Sequence, residues 1–144
     1  MKRHEGLVPL SREHQKGLLL AQVLKKDAPP YRGMPTDIPG KKELLKDSYN
    51  NDLKPHFQKE EEILFPEVKN LNEEIANLIN ELTEDHRKIE RLVDEIAETG
   101  HPKDKMDELG NLLDEHIRKE ERSLFEKLQE IMPESELIKF KERF

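Results

Sequence analysis

The chain has 144 residues, enough for one ordinary domain with a buried core. Its net charge of −7 argues against nucleic acid or an anionic membrane as the main partner, because both attract basic surfaces. The absence of cysteine excludes disulfides, iron–sulfur clusters and thiol catalysis, and it favours a reducing compartment, which we expect to be the cytoplasm.

Hydropathy gives no sign of a membrane protein. No apolar run approaches the roughly 18 residues of a membrane span, and the N-terminal stretch lacks the apolar core of a secretory signal. Charged residues make up 40% of the chain and hydrophobic residues 33%, but the two charge signs are mixed and the apolar residues are strongly periodic. We therefore expect solvated helices around a thin core.

Proline and glycine divide the chain into helical segments. The first helix is predicted from about residue 11 to 27, with Ser11 as its N-cap, and residues 28–40 form a loop rich in proline and glycine. The second helix runs from about residue 41 to 65 or slightly past Pro66, and the third begins after Asn72, its N-cap, and ends at Gly100. The fourth runs from about residue 103 to 132.

These segments predict an all-α fold. Four helices joined by two short turns and one longer loop are typical of an up-down-up-down four-helix bundle. We expect the bundle to span about residues 8–132 of a single domain, 1–144, with residues 134–144 forming a short C-terminal helix that packs on it.

Histidine and glutamate recur on the apolar stripes of these helices. A His-x-x-x-Glu unit occurs three times at a spacing of 30 residues, and the stretches HFQKEEEILF (56–65) and HIRKEERSLF (116–125) are identical at six of ten positions. Residues four apart are neighbours on a helix, so each unit presents an imidazole and a carboxylate from the same face. That face is the apolar one in all three helices.

The helix lengths place these units, and His14 on the first helix, in one layer of the bundle. An isolated histidine on an apolar stripe is usually a core residue with satisfied hydrogen bonds, and an isolated glutamate usually lies at a helix edge. Several buried carboxylates together need compensating positive charge, and the stripes contain almost no Lys or Arg. The pattern therefore predicts a metal site whose ligands are His14, His56, Glu60, His86, Glu90, His116 and Glu120.

Imidazole and carboxylate ligands suit iron, manganese or zinc. Seven ligands are too many for one ion, so we predict two ions, most economically a di-iron centre bridged by an oxo or hydroxo group, with zinc and manganese left open. If two carboxylates and one oxygen bridge two six-coordinate ions, about one of the twelve positions stays open. On a redox metal, dioxygen, nitric oxide or peroxide would bind there.

Residues beside these ligands are weaker candidates. Glu61 and Glu121 directly follow predicted ligands, and surface or outer supporting roles are favoured for them over coordination. Phe57 and Ile117 directly follow predicted ligands and are candidates for the wall of a gas pocket.

The motifs resemble the hemerythrin-like family, also described as the HHE cation-binding domain. The resemblance rests on His14, on H56FQKE60 followed by EEILFP, on H86RKIE90, and on H116IRKE120 followed by ERSLF, and it spans about residues 4–130. It implies that one metal takes His14 and His56, and that the other takes His86, Glu90 and His116. Glu60 and Glu120 would bridge, and the open position would lie on the first metal.

The chain departs from the oxygen-carrying members of that family at two ligand positions. Glu90 stands where they have a histidine, and the fourth-helix bridge is Glu120, four residues after His116, where they have an aspartate at five. An additional anionic ligand stabilises ferric iron. We therefore expect a poor reversible oxygen carrier, better suited to sensing, storage or redox functions.

Three functional interpretations remain open at this point. The first is a di-iron protein that binds dioxygen, nitric oxide or iron, with a redox or output partner that the sequence does not identify. The second is an enzyme, either a di-iron oxidase or peroxidase, or a protein that repairs iron clusters. The third is a metal-free helical interaction module, in which protein groups would neutralise the buried glutamates.

Overall fold

A computed structural model describes residues 2–144, which form helices and no strand. We number the long helices α1 (Val8–Leu24), α2 (residues 38–68), α3 (Glu73–Glu98) and α4 (residues 103–131). A short helix α5 (Glu134–Leu137) continues into a 3₁₀ turn (Ile138–Glu142). The predicted all-α bundle with a short C-terminal helix is confirmed.

The four long helices form a closed ring of neighbours in which α1 contacts α2 and α4, and α3 contacts the same two helices. Their buried apolar residues form two clusters. One contains Leu24, Leu45 and Met106, and the other contains Leu10 and Val68. The predicted ligands lie between these clusters along every long helix, so the fold leaves a polar layer inside an apolar core.

Two helix starts test the predicted caps. The Asn72 side chain accepts a hydrogen bond from the Ile75 amide at 2.8 Å, so Asn72 caps α3 as predicted. The predicted cap at Ser11 is wrong, because α1 already begins at Val8 with Pro9 in its first turn. Proline needs no amide partner in a first turn. Ser11 lies inside the helix, and its hydroxyl donates to the Glu121 carboxylate.

Both α2 and α4 contain π-helical segments that begin at a predicted ligand. One covers Glu60–Leu64 and the other Glu120–Phe125, and α2 has a further segment at Tyr49–Leu53. Prolines 55 and 66 each lie two residues after a π segment, where the hydrogen-bond register already shifts. This explains why α2 continues past Pro66 to Val68.

The π segments also set which side chains face the core. Residues four apart on a straight α-helix drift by about 40° around the axis. The wider π turns offset this drift, so a four-residue stripe stays buried over three steps on α2 (His56, Glu60, Leu64, Val68) and on α4 (His116, Glu120, Leu124, Leu128). Imidazole, carboxylate and apolar core thereby share one face of each helix.

Within residues 2–144, no helix is both long enough and apolar enough to cross a membrane.

The close approach of α1 and α4 predicts different effects of alanine at two glycines. A Cβ at Gly110 would lie 2.9 Å from the Ala21 carbonyl oxygen, whereas a Cβ at Gly100 would meet nothing within 4 Å. Overpacking costs about 1–3 kcal/mol, which exceeds the helix propensity of about 1 kcal/mol that alanine adds. Gly110→Ala should therefore lower the free energy of unfolding in urea. Gly100→Ala is the control and should change it little, and equal values for both variants would contradict this packing.

Candidate metal centre

Six of the seven predicted ligands meet in the polar layer of the bundle. Two overlapping groups of donor atoms form there, and within each group all atoms lie within 4.8 Å of one another. Both groups contain Glu60 and Glu120. The first adds His14 and His56, and the second adds His86 and His116. Two carboxylates shared between two pairs of imidazoles are the arrangement expected for two adjacent cations.

The inward-facing atoms of this layer have no hydrogen-bond partners among residues 2–144. These atoms are Nε2 of all four histidines and both carboxylate oxygens of Glu60 and Glu120. The two glutamates are 0% exposed. Some of these atoms approach one another, with His86 Nε2 at 3.1 Å from Glu60 Oε1, but the angles are not those of hydrogen bonds. Buried polar atoms normally have partners, so this set indicates a missing ligand.

Aromatic side chains surround the imidazoles. The ring of Phe57 stacks on His86 with centroids 3.9 Å apart, and Phe125 stacks on His14 at 5.6 Å. The histidine rings themselves pair across neighbouring helices, with centroids 4.7 Å apart for His14 and His56 and 5.0 Å apart for His86 and His116. Phe57, a candidate for the wall of a gas pocket, therefore lies against a predicted ligand.

The outward nitrogen of every imidazole has a carboxylate partner on a neighbouring helix. The Nδ1 to oxygen distances are 2.6 Å for His14 with Glu121, 2.9 Å for His56 with Glu13, 2.8 Å for His86 with Glu61, and 2.9 Å for His116 with Asp85. Hydrogen bonds of this kind orient a metal-binding imidazole. They leave Nε2 of each ring directed into the layer.

The supporting role of two of these four carboxylates was not predicted from the sequence. Glu61 and Glu121 fill the outer supporting role favoured for them, whereas Glu13 and Asp85 were missed. A signal for them exists, because each directly precedes a predicted histidine, in the pairs Glu13-His14 and Asp85-His86. Neighbouring residues on a helix point about 100° apart, so an acid in this position can face the adjacent helix, whereas Glu115, directly before His116, is exposed.

The residues of the layer fit a metal. Imidazole nitrogens and carboxylate oxygens are ligands of iron, manganese and zinc. The nearest lysines do not supply the positive charge, since Lys59 and Lys119 donate to Glu13 and Asp85 outside the layer. Comparison with known families agrees, because the model of the hemerythrin HHE cation binding domain matches residues 9–128.

The chain belongs to the hemerythrin HHE cation-binding family. This confirms the resemblance drawn from the motifs, and the match covers all six clustered residues. Searches of curated proteins and of solved structures gave no significant match.

Glu90 is the one predicted ligand that the HHE bundle does not bring to the others. Its carboxylate pairs with Arg87 at 2.6 Å and its side chain is 34% exposed. The cause is the regular course of α3, on which one stripe of buried residues advances in alternating steps of four and three: Ile75, Ile79, Leu82, His86, Ile89, Val93, Ile96. The step after His86 is three residues, so Ile89 takes the inward position and Glu90 falls at the edge.

Charge and burial act against each other on the ionisable groups. Burial alone would lower the pKa of His56, but the charge of Glu60 and the hydrogen bond to Glu13 raise it to about 9. Burial lowers the pKa of His86 as well, and the adjacent Glu60 and Glu61 more than offset this. Burial would raise the pKa of Glu60, yet the charge and proximity of His56 and His86 hold it below its usual range. Burial dominates at His116, whose pKa is lowered.

These shifts predict how the metal-free protein responds to pH. A histidine with a raised folded-state pKa stabilises the fold below its unfolded pKa, and this stabilisation is lost as pH rises through the folded pKa. For His56 this stabilisation is lost between pH 6.5 and about 9, and the raised pKa of His86 also lowers stability as pH rises. The lowered pKa of His116 affects stability only below its unfolded value of 6.5. The urea midpoint of metal-free protein should therefore fall between pH 6.5 and 9.

The metal-loaded protein provides the control for this pH series. Metal ions compete with protons for Nε2, so binding strengthens as pH rises. Loaded protein should resist urea better at pH 9 than metal-free protein at the same pH. A metal-free midpoint that stays constant or rises over this interval would contradict the assigned charges.

Proposed function

We propose that this protein holds a di-iron centre that binds a small oxidant or diatomic ligand, dioxygen, nitric oxide or peroxide, in a sensing, storage or redox role. The observation that carries the proposal is the pair of donor groups that share Glu60 and Glu120. Eight inward nitrogen and oxygen atoms of these groups lack hydrogen-bond partners within the described part of the chain, residues 2–144. One ion would be held by His14 and His56 and the other by His86 and His116. The two glutamates would bridge them.

When bound, the two irons would supply electron transfer and open coordination positions. The residues of the chain supply the surroundings. The four imidazoles hold the site between two apolar clusters, which exclude water from it. Phe57 and Phe125 cover His86 and His14, so that a small neutral ligand is favoured over a hydrated ion.

The position of Glu90 changes the expected number of open positions. Four imidazoles and two bridging carboxylates fill about eight of the twelve positions around two six-coordinate ions, whereas a seventh ligand on one ion would fill another. The first and second donor groups each offer two imidazoles and the same two glutamates, so the six-residue set leaves both ions equally unsaturated. The count that gave a single open position included Glu90, so without Glu90 more than one position would stay open.

The expectation of poor reversible oxygen carriage also changes. It rested on Glu90 as an additional anionic ligand, and Glu90 pairs with Arg87 on the surface. The two bridging glutamates remain the anionic ligands of the proposed centre. The charge of the proposed ligands therefore does not distinguish carriage from sensing or redox chemistry.

A surface groove between α2 and α3 lies beside the centre. The groove beside the centre measures about 190 Å³ and is lined by Phe57, Glu61 and Arg87 among others. The ring of Phe57 separates this groove from His86. Rotation of that ring would connect the groove to the centre, which suits a ligand of a few atoms.

Metal analysis and a matched pair of variants test the proposal. Protein purified after growth with iron should contain two irons per chain. Glu60→Gln removes a proposed bridge and should lose both ions, whereas Glu90→Gln changes an exposed carboxylate and should keep both. Near-zero metal in the unmodified protein would overturn the proposal and favour a metal-free interaction module. Loss of iron in Glu90→Gln alone would restore Glu90 as a ligand.

The reduced, iron-loaded protein then separates binding from catalysis. Anaerobic reduction followed by exposure to dioxygen, nitric oxide or peroxide should produce an optical change that persists and that reverses on removal of the ligand or on reduction. Steady consumption of peroxide with turnover would instead favour the oxidase or peroxidase alternative. Transfer of iron to a cluster-depleted acceptor protein would favour cluster repair.

A further inference from the structure

The four outward hydrogen bonds of the imidazoles follow a closed cycle around the bundle. Each long helix provides one carboxylate, and the next helix in the ring provides the histidine that it binds. The pairs run from α1 to α2 (Glu13 to His56), α2 to α3 (Glu61 to His86), α3 to α4 (Asp85 to His116) and α4 to α1 (Glu121 to His14). The cycle uses each helix once as donor and once as acceptor, so it is a property of the whole bundle.

A basic side chain also binds each carboxylate, at the other oxygen of Glu13, Glu61 and Glu121 and at the same oxygen of Asp85. Lys59 donates to Glu13 at 2.9 Å and Lys119 to Asp85 at 3.0 Å, while Arg87 pairs with Glu61 and Arg3 with Glu121 at 3.2 Å. Each carboxylate therefore contacts both an imidazole and a cation, and these neighbours favour its ionised form. An ionised carboxylate only accepts hydrogen bonds, so the Nδ1 atom facing it must carry the proton. The lone pair available for a metal is then on Nε2.

We propose that Glu13, Glu61, Asp85 and Glu121 are positioning residues of the centre, which fix Nδ1 as the protonated nitrogen and hold each Nε2 toward the layer. Given the proposed metal function, they also set how tightly each ion is bound. The cycle divides them between the two ions. Glu13 and Glu121 support the histidines of one donor group, and Glu61 and Asp85 support those of the other.

The basic residue that binds Glu121 comes from a different part of the chain than the other three basic residues. Lys59, Arg87 and Lys119 lie on the helices of the histidines that they support, one or three residues after them. Arg3 lies before α1, where its guanidinium also donates to the Glu121 carbonyl oxygen and stacks on Phe125 at 5.4 Å. Position 15, directly after His14, carries glutamine and so provides no charge. The N-terminal segment thereby supports the His14 imidazole from outside the bundle.

Glu61 and its neighbour Glu62 provide a matched pair for the test. Glu61 binds His86, whereas Glu62 is exposed on the same helix. The first measurement is the imidazole Nδ1–H signal of His86 in nitrogen-15 NMR spectra of metal-free protein. This proton should exchange slowly in the unmodified protein and in Glu62→Leu, and its signal should disappear in Glu61→Leu. A purely structural contribution of Glu61 would not remove it from a folded protein.

The second measurement is the affinity for Fe²⁺ in competition with a chelator under anaerobic conditions. Glu61→Leu should weaken one of two binding steps by about 10–100-fold and leave the other within about threefold. Glu61→Gln still offers an accepting oxygen to Nδ1, so it should keep the NMR signal and recover most of the affinity. If Glu61→Leu fails to fold, the NMR signal and the Fe²⁺ affinity are measured on Glu61→Gln in its place.

The outcomes separate this proposal from the metal function. An unchanged Nδ1–H signal and unchanged Fe²⁺ affinity in folded Glu61→Leu would overturn the positioning role. A lost signal in a protein that binds no Fe²⁺ in any variant would support the orienting role of Glu61 and overturn the metal function. Equal weakening in Glu61→Leu and Glu62→Leu would show that surface charge, and not the hydrogen bond to His86, governs affinity.

Discussion

Glu60 and Glu120 lie at the centre of this bundle with no exposure to water, and their carboxylates have no hydrogen-bond partner among residues 2–144. An uncompensated buried charge costs several kcal/mol, which is a large part of the stability of a domain of this size. The nearby lysines bind other acids, so in the metal-free protein only protonated imidazoles such as His56 offset part of this charge. A pair of cations among the four imidazoles would remove the penalty, and this requirement connects the fold to the proposed function.

The conformations of the four long helices place these side chains in one layer. On α2 and α4, π segments beginning at the glutamates keep a four-residue stripe on the buried face. On α1 and α3, uninterrupted α-helices each contribute one imidazole. The result is an approximate repeat of the two halves of the chain, in which Glu13-His14 corresponds to Asp85-His86 and His56–Phe65 corresponds to His116–Phe125. Each half supplies two histidines and one glutamate.

Much of this arrangement could be predicted from the sequence, because long amphipathic helices and buried polar residues have strong periodic patterns. The four helices, the cap at Asn72 and six clustered residues follow from such patterns. The position of Glu90 could not be predicted from spacing, because a His-x-x-x-Glu unit has the same form whether its helix advances by three or by four residues at that point. Only packing against the neighbouring helices decides this, and Ile89 occupies the inward position.

The carboxylates that bind the outward nitrogens of the histidines were difficult to predict for a related reason. Glu13 and Asp85 look like ordinary surface acids in a chain with 32 acidic residues, and their partners lie 43 and 31 positions away. Ser11 is a similar case, because its hydroxyl donates to Glu121 on another helix and does not cap the start of its own helix. Roles that depend on contacts between helices emerge only from the folded chain.

The central claim is that two iron ions share Glu60 and Glu120. Anomalous diffraction at the iron edge from crystals of iron-loaded protein tests it most directly. The account predicts two anomalous peaks per chain, one beside Nε2 of His14 and His56 and the other beside Nε2 of His86 and His116, with a carboxylate of each glutamate between them. A single peak, or a peak that includes Glu90 and leaves out either bridging glutamate, would contradict it.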